Sequence, residues 1–289
     1  MTMALCSSHL EAFLAVSQTL NFTQAAGKIN VTQSALSQRI LNLEAELGLT
    51  LFIRDRSGLR LTEAALKLVR YCQQKNSLEL EVLASLRSDD PKIYGGVIRV
   101  GAFSSVMSSI VVPALSQITS IHKKVSIQTM TKEMSELLEL LKRGEIDYMI
   151  VDDRINRDEL ERVFLGKEKN VLVQHKKYAG AEIYLDHDET DEVTLKYLKQ
   201  AKIKTKDIQR QYLDDVHGLI QGVRSKLGKA VLPLHLISES EFEILQPKQI
   251  FEIPVYLYYY SQPYYSNLHF KVIETLKDSF DQIFNPNYE

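Results

Sequence analysis

Residues 22–62, FTQAAGKINVTQSALSQRILNLEAELGLTLFIRDRSGLRLT, restrict the fold more than any other part of this chain. Thr23 is placed to cap a short helix through Ile29, with Asn30 as the turn that follows. Thr32 is placed to cap a second helix, which Gly48 closes. On that second helix Leu36, Ile40, Leu43 and Leu47 share one side, while Gln33, Ser34, Ser37 and Gln38 lie outside the stripe. Residues 51–54 and 59–62 read as two strands joined through Asp55, Arg56, Ser57 and Gly58. Two helices around a polar turn, followed by an arginine-bearing strand pair, are the layout of a winged helix-turn-helix, which sets one helix in the major groove of DNA. Amides and hydroxyls at a helix start suit base edges, and Arg54, Arg56 and Arg60 suit phosphates or the minor groove. A solvated helix face and a solvated hairpin would carry the same residue types.

The whole chain does not look like a basic nucleic-acid binder. Its net charge is -2, so attraction to DNA has to be local. Residues 1–62 hold five basic groups against four acidic ones, leaving +1, and the argument rests on where the arginines sit. With 289 residues, 45% hydrophobic and 25% charged, the chain is expected to form two or three ordinary soluble domains. Cys6 and Cys72 are too few for a disulfide framework or a zinc site, so a reducing cytoplasm is the expectation, with Cys72 a buried structural thiol rather than a redox sensor. No apolar run is read as reaching the ~18 residues of a membrane span, and no signal peptide is read at the start.

A helix over 63–88 has no proline or glycine inside it and carries a broken seam of Leu66, Val69, Cys72, Leu80 and Leu83 around Asn76. A helix this long needs a partner for its stripe, which points to a homodimer made through it, with packing inside the same chain as the alternative. Asp89-Asp90-Pro91 ends it and Gly95-Gly96 forms a hinge. Strands and helices then alternate: strands 98–103, 125–130, 146–151, 171–174, 183–185, 208–212, 230–232 and 255–260, and helices 107–120, 134–143, 214–227 and 267–283. That alternation predicts parallel sheet flanked by helices.

In such sheets ligands bind beyond the carboxyl ends of the strands. Those ends present Ser104 and Ser105, Thr131, Asp152 and Asp153, Asp186, and Asp214 and Asp215. The two serines head a helix and favour a carboxylate, while the aspartates attract a cation. Together they suggest an amine-bearing acid such as an amino acid, or another small carboxylate; the competing reading makes them ordinary helix caps. An enzyme has little support: the seven histidines are scattered, there is no G-x-S-x-G, no phosphate loop and no metal-ligand spacing, and no cofactor is expected. A plain solute-binding protein with an N-terminal partner module is the other class.

Four pieces in order, FTQAAGKINVTQSALSQRILNLEAELG, LFIRDRSGLRLTE, the G-x-I-R-V-G of 96–101 and VRSKLGKAVLP at 223–233, make the chain resemble the LysR-type transcriptional regulators over essentially its full length. The resemblance implies an α/β protein in three parts: a winged helix-turn-helix at 1–62, a linker and dimerisation helix at 63–91, and a two-subdomain, periplasmic-binding-protein-like effector domain at 96–289. Its subdomains would be 96–165 with 266–289, and 166–265. It further implies a non-enzymatic, cytoplasmic regulator that binds double-stranded DNA and a small-molecule effector and assembles as a homotetramer. DNA contacts are expected at Thr32, Gln33, Ser34, Ser37, Gln38, Arg54 and Arg56, and effector contacts at Ser104, Ser105, Thr131, Asp152 and Asp214. In many members the basic residue directly follows the serine matching Ser37; here Gln38 intervenes, so Arg39 is assigned to a phosphate or a structural pair.

Overall fold

The computed structural model describes residues 5–56, 58–86, 94–203, 208–238 and 240–285. Helices α1 (Ser7–Thr19), α2 (Phe22–Lys28) and α3 (Gln33–Leu47) close on a core of Phe13, Val16, Leu36 and Leu43. The cap of α2 is Asn21, not Thr23: its side chain accepts from the Thr23 and Gln24 amides, leaving Thr23 inside the first turn. Asn30 takes a positive φ of 56°, and Gly48 one of 66°, so both turns form at the expected residues. Strands β1 (Phe52–Asp55) and β2 (Gly58–Leu61) pair antiparallel with Asp55 opposite Gly58. The ring of Phe52 packs on Phe13 and Phe22 and fixes the hairpin against the helices.

Helix α4 (Glu63–Leu86) begins under a Thr62 cap, whose hydroxyl accepts from the Ala65 amide. The apolar seam divides. Ala65, Leu68, Val69 and Cys72 are buried in the N-terminal core, whereas Leu78, Leu80, Val82, Leu83 and Leu86 are exposed. Burial pushes the Cys72 thiol up to about 12, which suits an inert structural cysteine. The expected helix end at Ser88 and the Asp89-Asp90-Pro91 stop lie outside the described residues.

The remaining elements are β3 (Gly95–Ala102), α5 (Ser104–Ile121), β4 (Lys124–Thr131), α6 (Met134–Lys142), β5 (Tyr148–Val151), β6 (Leu160–His175), β7 (Ile183–Asp186), α7 (Val193–Gln200), β8 (Gln209–Tyr212), α8 (Val216–Arg224), β9 (Lys229–Pro233), β10 (Phe242–Ile244), β11 (Phe251–Tyr260) and α9 (Asn267–Phe284). Their strands form one sheet in the order β4-β3-β5-β11-β6-β9-β7-β8, with β10 beside β6. The parallel expectation holds within each half, where β3 lies parallel to β4 and β5, and β7 parallel to β8 and β9. It fails in the middle, because β6 and β11 run antiparallel along each other and join the halves. At the crossing Gly166 has φ +128°, opposite a bulge between Val255 and Tyr256. A Cβ there would come within 2.9 Å of the Phe284 ring.

Several local expectations give way. Strand β6 starts at Leu160 rather than 171, since its charged first half is paired along β11. Helix α7 adds an element to the expected set, being short and polar on one side. Helix α8 begins after Asp215 rather than at 214 and ends short of 227, where Lys226 takes a left-handed conformation and the Leu227 amide returns to Gly222 O. Helix α5, at 18 residues and mean hydropathy 1.3, is long and apolar enough to cross a membrane, which corrects the expectation that no run reaches that length. Its Val106, Ile110, Ala114, Leu115 and Ile118 instead fill the core beneath β3 and α9.

Candidate nucleic-acid interface and effector crevice

At the start of α3 the Thr32 hydroxyl accepts from the Ala35 amide at 3.2 Å and lies 3.1 Å from the Ser34 hydroxyl. Gln33 is exposed, and its side-chain carbonyl accepts from the Thr23 hydroxyl at 3.1 Å, so helix α2 orients it. Gln38 is exposed and donates to Asn42 at 2.9 Å; Ser37 and Arg39 border the core stripe. Glu44 fastens this helix to the wing by accepting from the Leu51 amide at 2.6 Å and the Phe52 amide at 3.3 Å. Arg54 and Arg56 are exposed on the wing, while Arg60 reaches Asp55 at 3.4 Å. Of the expected DNA residues, Thr32, Gln33, Ser34 and Gln38 are exposed at the cap and first turns of α3, and Arg54 and Arg56 are exposed on the wing; amides and hydroxyls of this kind can hydrogen-bond base edges, and arginines can neutralise phosphates.

The effector residues separate into those that meet and those that do not. Ser104 and Ser105 head α5, Thr131 ends β4 and Asp152 follows β5, and the register of β3 with β4 and β5 brings these three chain ends together. Asp186 does not join them: it is buried against Arg210, whose Nη2 also donates to Asp191 O. Asp215 caps α8, accepting from the Gly218 amide at 2.6 Å, and Asp214 turns the chain in a left-handed conformation with φ 59°. Asp153 accepts from the Arg154 amide. These residues serve as helix caps and turns.

Sequence reasoning does not find the groups that meet Ser105. The Ser105 hydroxyl donates to Glu168 Oε1 at 2.6 Å, and Glu168 is only 3% exposed. Burial pushes the Glu168 carboxyl up to about 7, against the pull of hydrogen bonds from Ser105 and Asn170. Ser109 spends its one proton on Ser105 O at 2.5 Å, so His235, 3.1 Å away, donates to it from Nε2. Burial holds the His235 pKa down, keeping the ring neutral 3.9 Å from Glu168. Ser108 meets His217 Nε2 at 3.3 Å. Burial also raises Asp152, whose carboxyl is further opposed by Asp153 and Asp191 and relieved by Lys196. The turn of α5 that carries Ser108 and Ser109 is a π-helical stretch, Met107–Val111, a widening often found at functional sites. The crevice is therefore acidic, with Ser105 already engaged by a carboxylate of the chain itself. No signal in the charge-rich run GKEKN marks Glu168 as buried. Among the described residues no group of three or more His, Cys, Asp or Glu could hold a metal ion.

A winged helix-turn-helix joined by a long helix to a two-part α/β unit is the architecture of a DNA-binding protein with a separate α/β domain. Residues 7–66 match the family model described as bacterial regulatory helix-turn-helix protein, lysR family, and residues 94–281 match the LysR substrate binding domain. The chain belongs to the LysR family. It is 32% identical over 161 residues to the HTH-type transcriptional regulator HdfR of Yersinia pestis (strain Pestoides F), a match covering 54% of this chain and 53% of that one. It thus spans about half the length of the curated relatives it matches. Among solved structures, ArgP from Mycobacterium tuberculosis superposes with TM-score 0.74 at 19% identity, covering 97% of this chain and 99% of that one. Full-length LysG from Corynebacterium glutamicum with bound effector Arg gives 0.71 at 18%, covering 98% and 100%. A full-length OxyR variant from Pseudomonas aeruginosa gives 0.66 at 18%, covering 97% and 96%. At these identities the likeness concerns the fold alone.

Proposed function

We propose that the chain is a non-enzymatic, cytoplasmic, sequence-specific transcription regulator whose DNA affinity or geometry is set by a small molecule bound between the two lobes of its effector domain. Gln33, Ser34, Ser37 and Gln38 read base edges, with Thr32, Arg39, Arg54 and Arg56 holding the backbone. The observation that carries this reading is the exposed start of α3, with Gln33 oriented by Thr23 and Arg54 and Arg56 exposed on the wing. The parts are 1–62, 63–91 and 96–289, the last divided into 96–165 with 266–289 and 166–265. The exposed distal leucines of α4 support a homodimer through that helix, and pairs of dimers make the homotetramer. DNase footprinting of purified protein over the gene's own upstream region tests the reading: protection that fades steeply with salt supports it, and no protected site at any salt rejects it.

The effector is an amine-bearing small molecule, an amino acid in the first instance. Glu168 and Asp152 favour a cation, and no arginine or lysine is ion-paired with either among the described residues. A simple carboxylate would meet a serine already bonded to Glu168, which disfavours it. That LysG was solved with bound effector Arg supports the same class. Ser104, Ser105, Thr131 and Asp152 form the walls of this site. Calorimetry on the full chain distinguishes the classes: heat with arginine or lysine and none with acetate or succinate is the expected result, and the opposite pattern rejects it.

A further inference from the structure

A cavity lies where all three parts of the chain meet, and none of its lining residues belongs to the Ser105–Glu168 region. It holds about 110 Å³ and is walled by Leu14 and Gln18 of α1, Gln73 and Ser77 of α4, and Tyr259, Tyr265 and His269 of the effector domain. Polar and stacking contacts fasten its edges. Gln73 donates to Asp147 Oδ1 at 3.1 Å, the Arg70 guanidinium sits 4.4 Å from the Tyr260 ring centroid, and Asn267 bonds Glu81. The parts are therefore held around this space rather than packed into it.

The two walls differ in chemistry. On the effector side His269 stacks on Tyr265, with ring centroids 4.3 Å apart and planes at 22°, and Tyr259 meets both edge-on. The Tyr148 hydroxyl lies 3.0 Å from His269 Nδ1, which locks the histidine ring, and burial drops its pKa to about 4. On the helix side stand amides and a hydroxyl. Among the described residues only Arg99 and Asp147 are charged in the lining, and they are bonded to each other at 3.3 Å. A wall of fixed aromatic rings facing amides, without an unspent charge, suits a flat ring with neutral hydrogen-bonding groups. Its roughly 110 Å³ is smaller than the roughly 150 Å³ apolar cavity that takes benzene, which limits an occupant to a single ring.

We infer that this junction is a second ligand site, taking a small, planar, uncharged heteroaromatic molecule between the His269–Tyr265 stack and the amides of α1 and α4. Because Leu14 and Gln18 belong to the DNA-binding head, an occupant touches head, linker and effector domain at once. It would favour the arrangement of the three parts that closes on it. The site is independent of the crevice and does not rest on the effector proposed for that crevice.

The test uses the full-length chain with nicotinamide as the neutral probe and nicotinate as its charged counterpart, read by saturation-transfer NMR and calorimetry. Nicotinamide is expected to bind, and nicotinate at least about tenfold more weakly, because its carboxylate would be buried unpaired. Tyr265→Ala should weaken nicotinamide about fivefold by removing one stacked ring. Ser77→Phe, made on an exposed helix position so that folding is kept, should fill the cavity and abolish binding. Glu168→Gln, in the crevice, should leave nicotinamide binding unchanged. No binding of nicotinamide, equal binding of nicotinate, binding indifferent to Ser77→Phe, or binding lost with Glu168→Gln would each overturn the assignment.

Discussion

In the DNA-reading head, Gln33 finds its partner in Thr23, ten residues away, and Gln38 finds its own in Asn42, four residues away. In the effector crevice Ser105 reaches Glu168 across 63 residues and Ser109 reaches His235 across 126. The head's polar residues are exposed and held by neighbours on the same or the adjacent helix. The crevice's are buried and held only because the two halves of the sheet come together. A surface meant for a large charged partner can be built locally and left wet. A pocket for a small molecule needs groups taken out of water, and those come from distant chain.

The largest test of that contrast is Leu36→Ala, in the core of the head. Losing a fully buried leucine should cost about 3 kcal/mol and unfold the head, while the transition of the effector domain stays where it was. Calorimetric scanning resolves the two, and a joint shift of both transitions would show that the parts do not melt separately.

Glu168→Gln comes next, and its sign follows from the raised carboxyl. A group at about 7 when folded, against an ordinary 4.5, keeps its proton longer in the folded chain. The stability of that neutral form is whole below 4.5 and is lost as pH rises through 7. Glutamine cannot ionise, so the variant should gain little over the parent at a pH of about 5 and on the order of 3 kcal/mol at about 8. Denaturant unfolding at the two pH values measures it; an equal gain at both would mean that ionisation is not the cause.

Smaller effects are expected in the head. Gln33→Ala should weaken specific DNA binding by about 1–3 kcal/mol and barely change binding to random sequence. Arg54→Ala should weaken both alike and lower the salt slope by about 1. Gel shifts over a salt series on the two DNAs separate these outcomes, and identical behaviour of the two variants would dissolve the division between reading and anchoring. Asn21→Ala removes the cap of α2 and should cost about 1 kcal/mol of head stability, whereas Thr23→Ala should cost less because Thr23 is not the cap.

Much of the molecule is legible in its residues. The helix start at Thr32 and the glycine stop at Gly48 form as expected, because caps and left-handed turns are set by a few adjacent residues. Thr23 misleads because Asn21, two residues earlier, offers the same kind of oxygen at the better position. The alternating strands and helices disclose two parallel halves, but not the antiparallel pair β6 and β11 that joins them, since pairing direction is a property of neighbours and not of a strand.

What sequence alone determined here is the local chemistry: the amphipathic helices, their caps, the arginine wing, and the family they spell. Tertiary structure decided which polar groups go dry. Glu168 sits among charged residues and reads as solvated, yet the crossing of β6 beside α5 removes it from water and turns it onto Ser105. Likewise Asp186, Asp214 and Asp215 read as ligands and became an ion pair, a turn and a cap. The physical reason is desolvation: a side chain's charge and hydrogen bonds depend on every atom that displaces its water, and those atoms are supplied by parts of the chain that only folding brings close.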